Sequence, residues 1–147
     1  MSTKVISLGN YLMKDDKIGL LIGENLKMDL NTLDIELIQG ETDFLYCISR
    51  LCENDLIFIL DAMISDKNLG NLSVIKLDDY YKISPYTQHS LNLIQLLPLY
   101  FNNINGYILG IEVCDISYNL DLSYKIKENL NSISKNVLKE IKSLLFY

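Results

Sequence analysis

Short apolar runs alternate along this chain with stretches in which apolar residues recur every three or four positions. Three runs, Val5–Leu8, Ile57–Leu60 and Tyr107–Ile111, are nearly continuous and rich in β-branched or large apolar side chains. Such continuous character is typical of strands buried on both faces, as in a parallel sheet. The pattern therefore predicts three central parallel strands.

Two further runs predict additional strands of the sheet. Ile35–Ile38 is short and mostly apolar, whereas Leu72–Leu77 alternates in part between apolar and polar positions. Partial alternation indicates a strand with one face toward solvent, so we expect the second of these runs near an edge.

Four segments have the spacing of amphipathic helices, in which apolar residues form one stripe that can pack on a sheet. The stripes consist of Ile18, Leu21, Ile22 and Leu26; Phe44, Leu45, Ile48 and Leu51; Leu91, Ile94 and Leu97; and Leu122, Ile126, Leu130, Ile133, Val137, Ile141 and Leu144.

Strands and helices alternate, which predicts an α/β fold: a three-layer α/β/α sandwich with a mostly parallel, twisted sheet of about five strands. We expect right-handed crossovers and one antiparallel edge strand. The 147 residues contain no Pro/Gly/Ser-rich divider, so residues 1–147 are predicted to form a single domain.

Composition narrows the function classes. No apolar run approaches the roughly 18 residues that a membrane helix needs, and the amino terminus lacks the layout of a secretory signal. We therefore expect a cytoplasmic protein with no membrane partner. The net charge is −6 with scattered lysines, which provides no basic patch for nucleic acid.

Cysteine and glycine patterns exclude several kinds of site. The cysteines, Cys47, Cys52 and Cys114, are odd in number and form no CxxC motif, which argues against a disulfide framework and a cysteine zinc site. We expect them to be buried thiols. The chain has no GxGxxG motif and no phosphate loop, so nothing in it indicates a nucleotide site. It also has no GxSxG motif, which would indicate a catalytic serine.

Candidate chemistry follows the predicted strands, because ligands of open α/β sheets bind outside the carboxyl ends of the strands. Asp15 and Asp16 come after the first strand, Asp61 ends the run IFIL, and His89, the single histidine, stands at the start of a helix. A carboxylate that ends a fully apolar strand is costly to bury unless it is paired, hydrogen-bonded or bound to metal.

His89 is suited to metal ligation. The positive end of a helix dipole lowers a histidine pKa and favours the neutral imidazole. Two carboxylates and one imidazole suit a borderline cation such as zinc or nickel. Each residue also has an ordinary interpretation: a first-turn aspartate as a helix cap, Asp61 as a turn residue, His89 as a surface or core residue. Spacing alone does not show that they converge.

Taken in order, the motifs resemble those of the hydrogenase maturation endopeptidases, which remove the carboxyl-terminal extension from the large subunit of nickel-iron hydrogenases. LGNYLMKDDKIG resembles their amino-terminal signature, with Gly9, Asn10, Asp15, Asp16 and Gly19 in the matching positions. QGET, ILDAM, TQHSL and LGIEV follow in the family's order. The resemblance covers nearly the whole chain.

This resemblance implies a phosphorylase/hydrolase-like fold and a metal-binding, catalytic trio of Asp16, Asp61 and His89. Asp15 would support the loop or cap the helix. The implied activity is that of an aspartyl endopeptidase acting on a nickel-loaded [NiFe] hydrogenase large-subunit precursor. The substrate would then supply the nickel, no organic cofactor is expected, and the chain is expected to be a monomer. A cation could polarise the scissile carbonyl or activate a water; alternatively, Asp16 or Asp61 acts as general base.

Three positions depart from the family pattern: Lys17 and Glu41 replace glycines, and Val113 replaces a proline. A side chain at Glu41 could alter which precursor fits, or mark a member that has lost activity. Two alternatives stay open: a related peptidase of the same fold with another precursor, and a noncatalytic assembly protein that recognises a metal-loaded partner.

Overall fold

The structure is a computed structural model that describes residues 1–83, 87 and 89–146. Gln88, which belongs to the TQHSL motif, and Tyr147, the last residue of the predicted domain, lie outside the described residues.

The described residues form five strands, five α-helices and two short 3₁₀ turns. The strands are β1 (Thr3–Leu8), β2 (Ile35–Glu41), β3 (Leu56–Met63), β4 (Leu72–Lys76) and β5 (Asn105–Glu112). The helices are α1 (Ile18–Thr32), α2 (Phe44–Ser49), α3 (Tyr80–Ile83), α4 (Ser90–Tyr100) and α5 (Tyr124–Leu145). The 3₁₀ turns span Lys14–Lys17 and Leu77–Asp79.

The strands form one sheet in the order β2-β1-β3-β5-β4. β1 pairs in parallel with β2 and β3, and β3 pairs in parallel with β5, whereas β4 is antiparallel to β5. The three most apolar runs therefore occupy the three central positions, as predicted. The strand with partial alternation lies at an edge of the sheet, as predicted, and it is the antiparallel strand that the fold class includes.

Helices cover both faces of the sheet. Successive residues of β1 contribute to different cores: Val5 packs with α1 and α5, and Ile6 packs with α2 and α4. This alternation arises because neighbouring side chains of a strand point to opposite faces. The predicted α/β/α sandwich is confirmed, with α1 and α5 in one layer and α2 and α4 in the other.

Some details differ from the prediction. α5 begins at Tyr124 rather than Leu122, because Ser123 has an extended ψ of 145° and precedes the first helical residue. α3 has four residues, too few to show a periodic stripe. Of the cysteines, Cys47 is buried but Cys52 and Cys114 are exposed, so the expectation of buried thiols is wrong for two. No helix among the described residues is long and apolar enough to cross a membrane.

Candidate functional site

Asp16, Asp61 and His89 meet near the carboxyl ends of β1 and β3, beside the start of α4. β3 continues past Asp61 to Met63, so Asp61 lies within the strand and does not end it as predicted. Asp16 Oδ2 lies 2.8 Å from His89 Nε2, and Asp61 Oδ2 accepts a hydrogen bond of 2.7 Å from the His89 backbone amide. Both carboxylates are buried, whereas the His89 side chain is 18% exposed. The sequence pattern alone did not show this convergence; the fold produces it at the edge where ligands of open α/β sheets bind.

Two glycines allow the Asp16 segment to approach the sheet. Gly9 has φ of +150°, and a Cβ there would lie 2.5 Å from the Asp16 carbonyl oxygen. A Cβ on Gly19 would lie 2.7 Å from the carbonyl oxygen of Leu60, the residue before Asp61. A side chain at either position would push the turn that carries Asp16 away from β3.

Asp61 uses only one of its two oxygens for hydrogen bonds to the described residues. Oδ2 accepts from the amides of His89 and Ser90 and from Ser90 Oγ, while the buried Oδ1 has no partner among the described residues. Burial raises the pKa of Asp61 to about 6, although the charge of His89 and these hydrogen bonds act in the opposite direction. The carboxyl group therefore keeps its proton to a higher pH than an exposed aspartic acid does.

Asp16 has the same asymmetry. Its Oδ2 accepts a 3.0 Å hydrogen bond from the Asn10 amide and contacts His89, while its Oδ1 is buried and has no partner within the described part of the chain. Buried polar atoms without a protein partner are uncommon in native folds, and many of them contact an ion or a water. Two bare carboxylate oxygens beside an imidazole are donors that fit a divalent cation.

The trio is not arranged as a ready cation site. In the described ranges, no group of three or more His, Cys, Asp or Glu side chains could hold a metal ion as it stands. Asp16 and His89 contact each other directly, and Asp61 Oδ2 is turned toward the start of α4. Cation binding would therefore require the Asp16–His89 contact to open.

The pKa of His89 is raised, which contradicts the prediction that the helix dipole lowers it. Burial is the largest single effect and lowers this pKa. The hydrogen bond to Asp16 and the charges of Asp61 and Asp16 raise it. Together, the effects of the two neighbouring carboxylates thus outweigh the effect of burial. His89 must lose a proton before it can bind a cation.

Asp15 has a different partner from Asp16. Its carboxylate accepts a 2.8 Å hydrogen bond from the Ser123 amide and a second bond from Ser123 Oγ. Ser123 is the N-cap residue of α5. Asp15 therefore supports the loop before α5 and caps α5, rather than the loop after β1 or helix α1, for which the resemblance implied a role.

The three departures from the family pattern have distinct environments. Lys17 is buried, and its ammonium donates to the carbonyl of Leu120. Val113 is buried, and its amide donates to the Met63 carbonyl at 2.9 Å, a bond that proline cannot make. Glu41 is exposed at the end of β2 with φ of 53°, in the left-handed region that favours glycine.

Sequence reasoning missed Ser90 and the Asn10 amide, both of which contact site carboxylates. The position of Ser90 directly after His89 was the one sequence signal that could have marked it as a site residue. The identity of the carboxylate that it contacts depends on how α4 docks against β3, and no local pattern shows this.

Known proteins with similar sequences point to one family. The family model "HycI: Hydrogenase maturation protease" matches residues 20–140, a range that contains Asp61 and His89 and begins after Asp16. A protein of Methanocaldococcus jannaschii described as a hydrogenase maturation protease is 29% identical over 135 residues, 81% of this chain and 79% of that protein. The hydrogenase 2 maturation protease of Escherichia coli is 31% identical over 104 residues, 66% of this chain and 62% of that protein.

Solved structures of two similar proteins share the fold. The [NiFe] hydrogenase maturation protease HybD from Thermococcus kodakarensis superposes with a TM-score of 0.78 at 23% identity, covering 95% of this chain and 98% of that chain. The hydrogenase maturating endopeptidase HybD from Escherichia coli superposes with a TM-score of 0.77 at 20% identity, covering 97% of this chain and 93% of that chain. The arrangement of sheet and helices is therefore shared along almost the entire chain.

Proposed function

The chain belongs to the hydrogenase maturation protease family, and from this premise we propose that it removes the carboxyl-terminal extension of a nickel-loaded [NiFe] hydrogenase large-subunit precursor in the cytoplasm. The observation that carries the proposal is the meeting of Asp16, Asp61 and His89 at the carboxyl edge of the sheet. The two buried carboxylate oxygens without partners among the described residues support it, because they offer negative charge to a cation.

In this proposal the nickel belongs to the substrate, and Asp16, Asp61 and His89 are the residues that would contact it. A divalent cation at such a site supplies Lewis-acid chemistry, either polarising the scissile carbonyl or activating a water. The protein itself contributes two buried carboxylates, whose electrostatic interactions are stronger than they would be in bulk water.

Asp61 also suits proton transfer. A general base works best when its pKa lies near the working pH, and burial raises the pKa of Asp61 to about 6. Asp61 could therefore accept the proton of an attacking water. His89, with its raised pKa, must be deprotonated before it contacts a cation, so cleavage should weaken as the pH falls.

The test is a cleavage assay with a large-subunit precursor from the same genome, prepared with and without nickel. The readout is the mass of the precursor's carboxyl-terminal fragment. Loss of the extension only from the nickel-loaded precursor is the expected result. Cleavage of both preparations would contradict nickel recognition, and binding without cleavage would favour a noncatalytic assembly protein.

Variants assign the residues in the same assay. His89→Ala and Asp61→Asn should abolish cleavage, since each removes a group proposed to contact the cation. Asp78→Asn is the matched control because Asp78 is an exposed carboxylate in the 3₁₀ turn after β4, away from the site. Normal cleavage by His89→Ala would refute the proposed site.

A related peptidase with a different precursor is the second candidate, and Glu41 favours it. The Glu41 carbonyl accepts a 3.1 Å hydrogen bond from the Gly9 amide, and the next amide, that of Asn10, donates to Asp16. An exposed carboxylate in a glycine-favouring conformation thus flanks the site. If Glu41 selects the precursor, Glu41→Gly should change the relative cleavage rates of two precursors; unchanged relative rates would remove this candidate.

A further inference from the structure

The hydroxyl of Ser90 contacts Asp61 in an unusual arrangement. Ser90 is fully buried, and its Oγ donates to Asp61 Oδ2 at 2.8 Å. The amides of Ser90 and His89 donate to the same oxygen at 2.7 Å each. Three donors thus share one carboxylate oxygen, while the other has no partner in the described residues. A carboxylate offers about four acceptor positions, two on each oxygen, so this distribution leaves one side of the group bare.

We propose that Ser90 is a positioning residue whose hydroxyl holds the Asp61 carboxylate with Oδ1 free of protein donors. This inference rests on the proposed function, in which that oxygen contacts the cation or the attacking water. The physical reason is competition for donors. With only the two neighbouring amides, the carboxylate can rotate and accept one bond on each oxygen, which satisfies both oxygens and withdraws Oδ1 from the reaction. The third donor favours the one-sided arrangement.

Another buried helical serine shows the common behaviour of this residue type. Ser134, in α5, donates its hydroxyl to the Leu130 carbonyl four residues earlier at 2.8 Å. Serine hydroxyls within helices commonly make this local bond. Ser90 is the first residue of α4, and its hydroxyl serves a carboxylate on β3 instead.

The test compares Ser90→Ala with Ser90→Thr, which keeps a hydroxyl, and with Ser134→Ala as the matched control. Each variant is crystallised and assayed for cleavage of the nickel-loaded precursor. We expect Ser90→Ala to lower kcat by about 10-fold or more, a typical effect of removing a group that orients a ligand, with KM within about twofold of wild type. Ser90→Thr should restore much of kcat, and Ser134→Ala should match wild type.

The crystal structures give a readout that does not depend on activity. In Ser90→Ala, Asp61 Oδ1 should accept one of the two amides. A structure in which Oδ2 still accepts both amides and Oδ1 stays bare would overturn the proposal, as would a wild-type kcat. If Ser90→Ala does not fold, Ser90→Cys replaces it, since a thiol is a weak donor of similar size.

The two proposals can fail separately. If the wild-type protein does not cleave the nickel-loaded precursor, the proposed function fails. The orientation of Asp61 in the crystal structures then still decides whether Ser90 holds it. If the wild-type protein cleaves the precursor and Ser90→Ala has the wild-type kcat and the wild-type orientation of Asp61, only the role of Ser90 is refuted.

Discussion

Replacing Asp61 with asparagine should make the protein more stable at neutral pH while it abolishes cleavage. Asp61 is fully buried, and burial raises its pKa from 3.8 to about 6. A difference of about 2 pKa units corresponds to about 3 kcal/mol at 1.36 kcal/mol per unit. This is the free energy by which the ionised carboxylate destabilises the fold relative to its neutral form.

The sign of the pH dependence follows from the direction of the shift. A carboxyl group whose pKa is higher in the folded state contributes stability that is fully present below the unfolded pKa of 3.8. That stability is lost as the pH rises through about 6, because the folded protein must then release a proton that it held more tightly. Asparagine is neutral throughout, so the variant does not undergo this loss.

Urea unfolding at about pH 4 and about pH 7 measures the effect. The chain has no tryptophan, so far-ultraviolet circular dichroism is the suitable signal. Between about pH 4 and about pH 7 the free energy of unfolding of Asp61→Asn should rise relative to wild type by about 2 kcal/mol, because the unfolded carboxyl group is already partly ionised at the lower pH. The same variant should lose at least about 100-fold in cleavage rate, the low end of the effect of removing a general base.

Asp78→Asn controls for the substitution itself on an exposed carboxyl group. A constant difference between wild type and Asp61→Asn at the two pH values would refute the claim that burial raises this pKa. A stabilised variant that still cleaves at the wild-type rate would show instead that Asp61 is retained for another reason.

Three further predictions concern stability, each checked by urea unfolding. Asp55→Asn should lower the free energy of unfolding by about 1.5–3 kcal/mol because it removes the nearer carboxylate partner of the buried Lys4 ammonium, at 2.9 Å, and leaves it Glu36 at 3.8 Å; the Lys4→Met/Asp55→Asn double variant should recover part of the loss, and equal losses would contradict this. Val113→Pro should cost about 1–3 kcal/mol or more, since the Met63 carbonyl loses its donor; an unchanged midpoint would show that the bond is dispensable. Glu41→Gly should gain about 1 kcal/mol by relieving a left-handed φ of 53°, and a loss would indicate that the Glu41 side chain stabilises its loop.

The sheet was predictable because its signals are local. Ile57–Leu60 is continuous in apolar character, and burial on two faces in the centre of a parallel sheet accounts for such a run. Leu72–Leu77 alternates, and its observed place at the antiparallel edge agrees with one exposed face. Both inferences need only the neighbouring residues, so no knowledge of tertiary contacts was required.

The electrostatics of the site were not predictable in the same way. The expected low pKa of His89 considered only the dipole of its own helix, whereas the opposing charges come from Asp16 and Asp61, 73 and 28 positions away in the chain. The partner of Ser90 is likewise set by the docking of α4 on β3. Properties that depend on contacts between distant segments follow from the fold, and local pattern does not contain them.

The adjacent carboxylates Asp15 and Asp16 connect the helix layers on the two faces of the sheet through their hydrogen bonds. Asp15 holds Ser123 at the start of α5, and Asp16 contacts His89 at the start of α4, so one peptide unit couples helices that lie in opposite layers. A movement of the Asp15–Asp16 turn that separates Asp16 from His89 would therefore strain the hydrogen bond between Asp15 and the Ser123 amide. The hydrogen-exchange rate of that amide would therefore report the opening of the site from a residue that contacts neither His89 nor Asp61.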